Sequence, residues 1–409
     1  MTAEPGTGGP PLRVACVSVS SALGGSEWVL HDFATRARRH GVDPVVLLPK
    51  EGPLGEALRE AGVAVRIAAP PPDFLELSQR SAVTAGGLAR FALGARAWSR
   101  AIGAELERLS GDRVSVLYSN GFKAHLAGAL LRRFRHVWHL HEFPPERIGP
   151  VWRLLAGALP DATIANSAAV ARAWRLGGFK EPAVVLNGVD LERFKPGPRT
   201  WWIHDLLGLP RAARLIGMPA VFARWKGHLL VVEAFERAAA RLENAHLVLI
   251  GGPIYDTVAE RGYAEELSRR VRRSSQSGSG AATPLSDRIH FVKFQTEPWK
   301  LYPELDLVVH FSTRPEPFGR VVLEAMACGV PAIAAAEGGP AEILADGVTG
   351  WLAKPGDVLA LSERLIAAMA TDPEPIRGAA RERATARFSA DRFAGEVAQV
   401  LRAQRPVDG

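Results

Sequence analysis

Cysteine is nearly absent from this chain: two thiols, Cys16 in a strand-like run and Cys328 in an apolar one, serve 409 residues. That argues against a disulfide framework and fits a reducing compartment, where both read as small buried thiols. No hydrophobic run is long enough to cross a bilayer, and the opening MTAEPGTGGPP is a Gly/Pro tail without the apolar core of a signal peptide. Both observations lead us to expect a cytoplasmic protein. Nothing resembles a nucleic-acid-binding motif, and the basic residues are not interleaved with aromatics, so nucleic acid is not an expected partner. The chain also lacks Asp-x-Asp, and no metal is expected. What remains is 47% hydrophobic and 23% charged, a globular composition long enough for two domains. The net charge of +7 comes with arginines such as Arg36, Arg38, Arg39, Arg132, Arg133 and Arg135. Solvated helix faces account for them; attraction to an anionic donor, or peripheral contact with an anionic membrane carrying a lipid acceptor, is the second reading.

Short apolar runs alternate with helical stretches. RVACVSVS, DPVVLLP, AVRIAA, VSVLYS, HVWHLHEF, ATIANS and PAVVLN make one series, and a second starts at RLIGMPAVF. This alternation predicts α/β architecture, with parallel sheets covered by helices on both faces. The first 11 residues read as a disordered tail, 12–195 as a first Rossmann-like domain, the Pro/Gly-rich 196–213 as a linker and 214–385 as a second domain. Ser274 to Ser286 is low in complexity and reads as a surface insertion. The turn Gly24-Gly25 joins a strand to a helix, as in phosphate-holding α/β proteins, but without the Gly-x-Gly-x-x-Gly spacing of a nicotinamide fold. His136, His139 and His141 cluster in RHVWHLHEF, where period-two alternation puts His139 and His141 on one strand face. A clear third metal ligand is missing, so a polar role at the sheet edge is favoured over metal binding.

The stretch RPEPFGRVVLEAMACGVPAIAAAEGG, from Arg314 to Gly339, carries the most chemistry. Its helical middle is apolar or small on every side except Glu324. A buried carboxylate accepts hydrogen bonds only and is costly unpaired, so it needs donors, which a ribose diol or the backbone could supply. Glu316 stands eight positions earlier, between Pro315 and Pro317, which restrict its loop. Gly319 permits close backbone approach, and a helix start offers free N–H groups to an anion.

Glu-x7-Glu in the setting EPFG…EAMACG, with Gly-Gly and Trp-Lys-Gly in order elsewhere, resembles the retaining, nucleotide-sugar-dependent glycosyltransferases of family 4. The resemblance runs from about Arg13 to about Phe388. It implies the GT-B fold, two Rossmann-like domains facing across a cleft, with the acceptor on the first and a nucleoside diphosphate sugar on the second. It further implies that 386–409 forms a helix crossing back onto the first domain. Carried over residue by residue, it assigns catalysis to Glu316, His141 and Lys226. Donor contacts fall to Glu324, Gly319, Phe318, Arg320, Val321, Arg224, Lys293, Gly24 and Gly25. No cofactor and no metal are implied. The chain departs from the family where Gly-Arg usually precedes Trp-Lys-Gly: Ala220 and Val221 stand there, and relatives have Gly at Lys293. Arg224 is the nearest substitute for the absent guanidinium. A non-catalytic GT-B subunit that binds a nucleotide or a partner is therefore the alternative expectation.

Overall fold

Strands that are buried on both faces are written as unbroken apolar runs instead of alternating ones, and this chain has many. The computed structural model describes residues 10–77, 85–109, 114–144, 159–177, 180–252, 261–273 and 285–404. The strands are β1 (Leu12–Ser18), β2 (Val42–Leu48), β3 (Ala64–Ile67), β4 (Val116–Asn120), β5 (Arg135–Leu140), β6 (Ala162–Ala165) and β7 (Ala183–Val184), then β8 (Arg214–Pro219), β9 (Ala245–Gly251), β10 (Ile289–Lys293), β11 (Leu307–His310), β12 (Ala332–Ala335) and β13 (Trp351–Ala353). They form two sheets, ordered β3-β2-β1-β4-β5-β6-β7 and β10-β9-β8-β11-β12-β13. Every pairing in both is parallel. The strand order reverses between β1 and β4 in one sheet and between β8 and β11 in the other. At such a reversal the loops leaving the carboxyl ends diverge and open a crevice.

The chain divides into two compact units, Met1–Gly188 with Ala390–Gly409, and Val189–Ser389. In the first, the final helix Ala390–Arg402 lays Phe393, Val397 and Leu401 into the core that holds Val29, Leu30 and Phe33 of the helix Gly25–Ala34. The stretch 196–213, read as a linker, is fastened into the second unit. Thr200 donates from its backbone N–H and its hydroxyl to Glu304 at 2.6 and 2.8 Å, and Arg199 pairs with Asp306 at 3.1 Å. Its proline and glycine content reads as a linker, but those polar partners sit about a hundred residues away and left no local trace. Of the low-complexity run, residues 274–284 lie outside the described residues.

Several of the arginines that suggested an anionic partner are engaged at home. Arg36 meets Asp32, Arg38 meets Asp43, Arg133 meets Glu107 and Arg135 meets Asp161. No helix among the described residues is long and apolar enough to cross a membrane.

One polar network lies in the middle of the first sheet. Ser119 on β4 is within 2.7 Å of His125 Nδ1 and 2.8 Å of His136 Nε2, and His125 stacks on Trp138 at 4.8 Å between ring centroids. All four side chains are buried. Burial disfavours the imidazolium, pushing His136 down to about 3 and His125 well below its ordinary value. Unfolding frees these rings to take protons below about 6.5, so the unfolded chain binds more protons and stability falls as pH drops from there toward 3. We expect each such ring to cost up to roughly 1.4 kcal/mol per pH unit in that window. Urea unfolding midpoints at pH 7 and pH 5 measure it, and equal midpoints would show that these histidines are not held neutral.

Candidate functional site

Two loops converge at the strand-order reversal of the second sheet. The loop after β8 makes a single 3-10 turn, Arg224–Lys226, and Gly227 then starts the helix His228–Ala238. The loop after β11 carries Phe311 to Gly319. Thr313 N–H donates to the Trp225 carbonyl at 2.7 Å and draws the two together. Gly227 has φ +78°, and a Cβ there would lie 2.0 Å from the Phe311 carbonyl oxygen, so only glycine allows the approach. A third segment forms the floor: Gly339 N–H donates to the Glu316 carbonyl at 2.9 Å, and a Cβ on Gly338 (φ +67°) would sit 2.3 Å from that oxygen.

These contacts bring Lys226 and Glu316, ninety residues apart, into a bidentate ion pair at 2.9 and 3.0 Å. Their side chains are 13% and 15% exposed. Glu316 also accepts from Ser312 Oγ at 3.0 Å, and His310 Nε2 stands 3.5 Å away. Burial works to raise the Glu316 carboxyl, yet Lys226 and His310 outweigh it and hold the group well below the usual carboxylate range. It is therefore an acceptor and a fixed negative charge, unsuited to giving up a proton. The Lys226 ammonium also lies 4.0 Å from the Trp225 ring centroid, which steadies it.

Glu324 lies on the helix Arg320–Ala327, 8% exposed. Its carboxylate accepts from Tyr302 Oη at 2.6 Å and from Arg320 Nε at 3.2 Å. Burial of this group thus does not by itself demand a ligand, because its own unit supplies donors. Tyr302 is fully buried, and desolvation together with the adjacent Glu324 charge raises its hydroxyl well above the ordinary value, so it stays a donor.

The remaining expected residues fall in different places. Gly319 (φ +93°) precedes the helix, packed so that a Cβ would meet Pro340 at 2.8 Å. Phe318 is buried against Phe388, and Val321 is half-buried on the helix. Arg224 pairs with Glu266 and lies over the Tyr263 ring at 5.0 Å, so its guanidinium is engaged by the neighbouring helix Tyr263–Arg273. Lys293 is exposed at the end of β10, two strands from β8.

In the first unit, Gly24 and Gly25 lead from β1 into the helix Gly25–Ala34. Asn120 at the end of β4 donates to the Ser26 carbonyl at 3.1 Å, tying this turn to the strand-order reversal. A Cβ on Gly24 would stand 2.6 Å from a Glu27 carboxylate oxygen, and burial raises that carboxyl above its ordinary value. His141 follows β5 at the same sheet edge, its ring centroid 3.9 Å from that of His139. His139 in turn meets the Tyr118 hydroxyl. His136 points to Ser119 instead, so the three-histidine cluster divides between the sheet faces. Among the described residues no group of three His, Cys, Asp or Glu is placed to hold a metal ion.

Tyr302 and His310 were not singled out from the sequence. His310 differs from its strand neighbours only in being polar at the end of LVVH. No spacing links Tyr302 to Glu324.

The chain is similar to known proteins in sequence and in fold. Residues 23–193 match the profile described as Glycosyltransferase Family 4, and residues 203–387 the one described as Glycosyl transferases group 1. Anabaena HepE, solved in complex with UDP-glucose, is 26% identical with a TM-score of 0.74, covering 96% of this chain and 100% of that one. A Rickettsia africae glycosyltransferase, 17% identical at a TM-score of 0.76 and covering 97% of this chain and 99% of its own, shares the fold. A D-inositol 3-phosphate glycosyltransferase of Mycolicibacterium gilvum is 33% identical over 214 residues, 49% of this chain and 42% of that protein. The chain thus spans less than half the length of the curated relatives it matches.

Gly338→Ala tests the floor of the site. The left-handed backbone alone costs about 1–2 kcal/mol for a residue with a Cβ, and the contact with the Glu316 carbonyl adds to it. We expect a lowered melting temperature by calorimetry; an unchanged one would mean that the Glu316 loop does not rest on this glycine.

Proposed function

We propose that the chain, which belongs to the group 1 / family 4 glycosyltransferases, moves a sugar from a nucleoside diphosphate sugar to an acceptor hydroxyl with retention of anomeric configuration and without a metal. The observation that carries this reading is the Lys226–Glu316 pair, fixed at the strand-order reversal of the second sheet. As the glycosidic bond breaks, negative charge grows on the leaving phosphate and positive charge on the sugar. Lys226, with the backbone at Gly319-Arg320, faces the first, and the ionised Glu316 answers the second and accepts from sugar hydroxyls. Pre-positioned charge of this kind is the main lever open to a transferase that forms no covalent intermediate. Glu324 receives the ribose hydroxyls beside Tyr302 and Arg320, and Phe318, Val321 and Lys293 border the donor. Gly24, Gly25 and His141 serve the donor phosphates and the acceptor. Since the donor carbon keeps its configuration and no second carboxylate is singled out as nucleophile, the acceptor attacks from the leaving-group face and gives its proton to the departing phosphate.

Val221 stands where the family resemblance implies an arginine, and Arg224 is engaged by Glu266. That favours, as the second reading, a subunit that binds nucleotide without transferring sugar.

A thermal-shift panel of nucleotide sugars identifies the donor, since a ligand bound only by the folded chain raises its melting point. With that donor, Lys226→Ala, Glu316→Gln and Glu324→Gln are each expected to lower turnover about a hundredfold or more while melting as folded proteins. Full activity in both glutamate variants would refute the roles given to them. Nucleotide binding without transfer or donor hydrolysis in the unaltered chain would establish the second reading. A chelator should leave turnover intact, and its loss would overturn metal independence.

A further inference from the structure

The single charge of Lys226 is paired with Glu316, and the proposed function asks the same ammonium to serve a diphosphate. An ammonium has three donors and can be shared, but a doubly charged ligand draws it away from a lone carboxylate. Glu316 is too deeply set to lose its donors without cost. Ser312 supplies one. The other donor within reach is His310, at the end of β11 and 4% exposed, with Nε2 3.5 Å from the same carboxylate oxygen that Ser312 serves.

We infer that His310 is a positioning residue for the donor reaction: it keeps Glu316 in place when Lys226 turns toward the donor's diphosphate. The geometry supports this on two counts. The ring is carried by a buried strand of the second sheet, between Val309 and Phe311, both fully buried, so it is held from behind. Its Nδ1 has no hydrogen-bond partner among the described residues, whereas Nε2 faces a carboxylate. The proton therefore belongs on Nε2, and both the neutral ring and the cation donate toward Glu316. An apolar side chain at this position would leave Lys226 as the principal donor to Glu316 and so hold it back from the nucleotide.

The inference rests on Lys226 and Glu316 forming the donor site, and the test separates the two. UDP, GDP and ADP are titrated by calorimetry into the unaltered chain, and the tightest binder is used throughout. His310→Leu should weaken it about tenfold, the scale of one hydrogen bond to a charged group. His310→Gln, which restores an N–H donor of similar reach, should recover affinity to within about threefold. In a Glu316→Gln background, where no buried charge needs support, His310→Leu should add no further loss. His310→Asn, whose amide falls short of Glu316, carries the same test if the leucine variant does not fold. The inference is overturned if the folded leucine and glutamine variants bind alike, or if the loss is the same in the Glu316→Gln background. If the unaltered chain binds none of the three nucleotides, the donor-site reading fails and takes this inference with it.

Discussion

The ion pair between Lys226 and Glu316 is an expensive object. Each partner is largely withdrawn from water, and burying two charges commonly costs as much as their attraction returns. Stability is thus a poor reason for it to exist, and the backbone around it shows what its placement requires. Glycine at 227 lets one loop touch the carbonyl of the other, glycine at 338 lets a third segment reach beneath Glu316, and Thr313 joins the first two. Three separate stretches of the second unit accept special backbone geometry so that one cation and one anion can meet.

Two carboxylates in this unit have the same chemistry and different neighbours. Glu316 is surrounded by Lys226, Ser312 and His310, which make it a permanent anion. Glu324 is answered by a buried phenol and by an arginine one helical turn away. The first arrangement holds a fixed negative charge, and the second a carboxylate hydrogen-bonded from within its own unit. Environment, not residue type, makes the two differ. The same holds for arginine. Arg224 is close to Lys226 along the chain, but its guanidinium lies over Tyr263 and against Glu266, so nearness in sequence did not translate into a second cation on the pair.

Much of the fold was legible. Unbroken apolar runs alternating with helical stretches can be satisfied only by parallel strands covered on both faces, and each run in the first series became a strand of one sheet. PAVVLN contributes only two residues of strand, Ala183 and Val184, both exposed, so a run of the right composition at a sheet's edge was shorter than it looked. The proline and glycine of 196–213 say nothing of the helix Trp202–Leu207 inside it or of the groups that hold the segment, Glu304 and Asp306, which are distant in sequence.

The sequence by itself determined what depends on local chemistry: which runs become strands, and that two carboxylates eight residues apart flank a helix start. Only the tertiary structure decided what depends on meeting at a distance. Lys226 reaches Glu316 and not open solvent, Tyr302 and Arg320 satisfy Glu324 from within, Arg224 turns aside, and His310 comes up behind the pair. Hydrogen bonds and ion pairs act over a few ångströms, and nothing in the linear order of residues records which ones will be brought within that range.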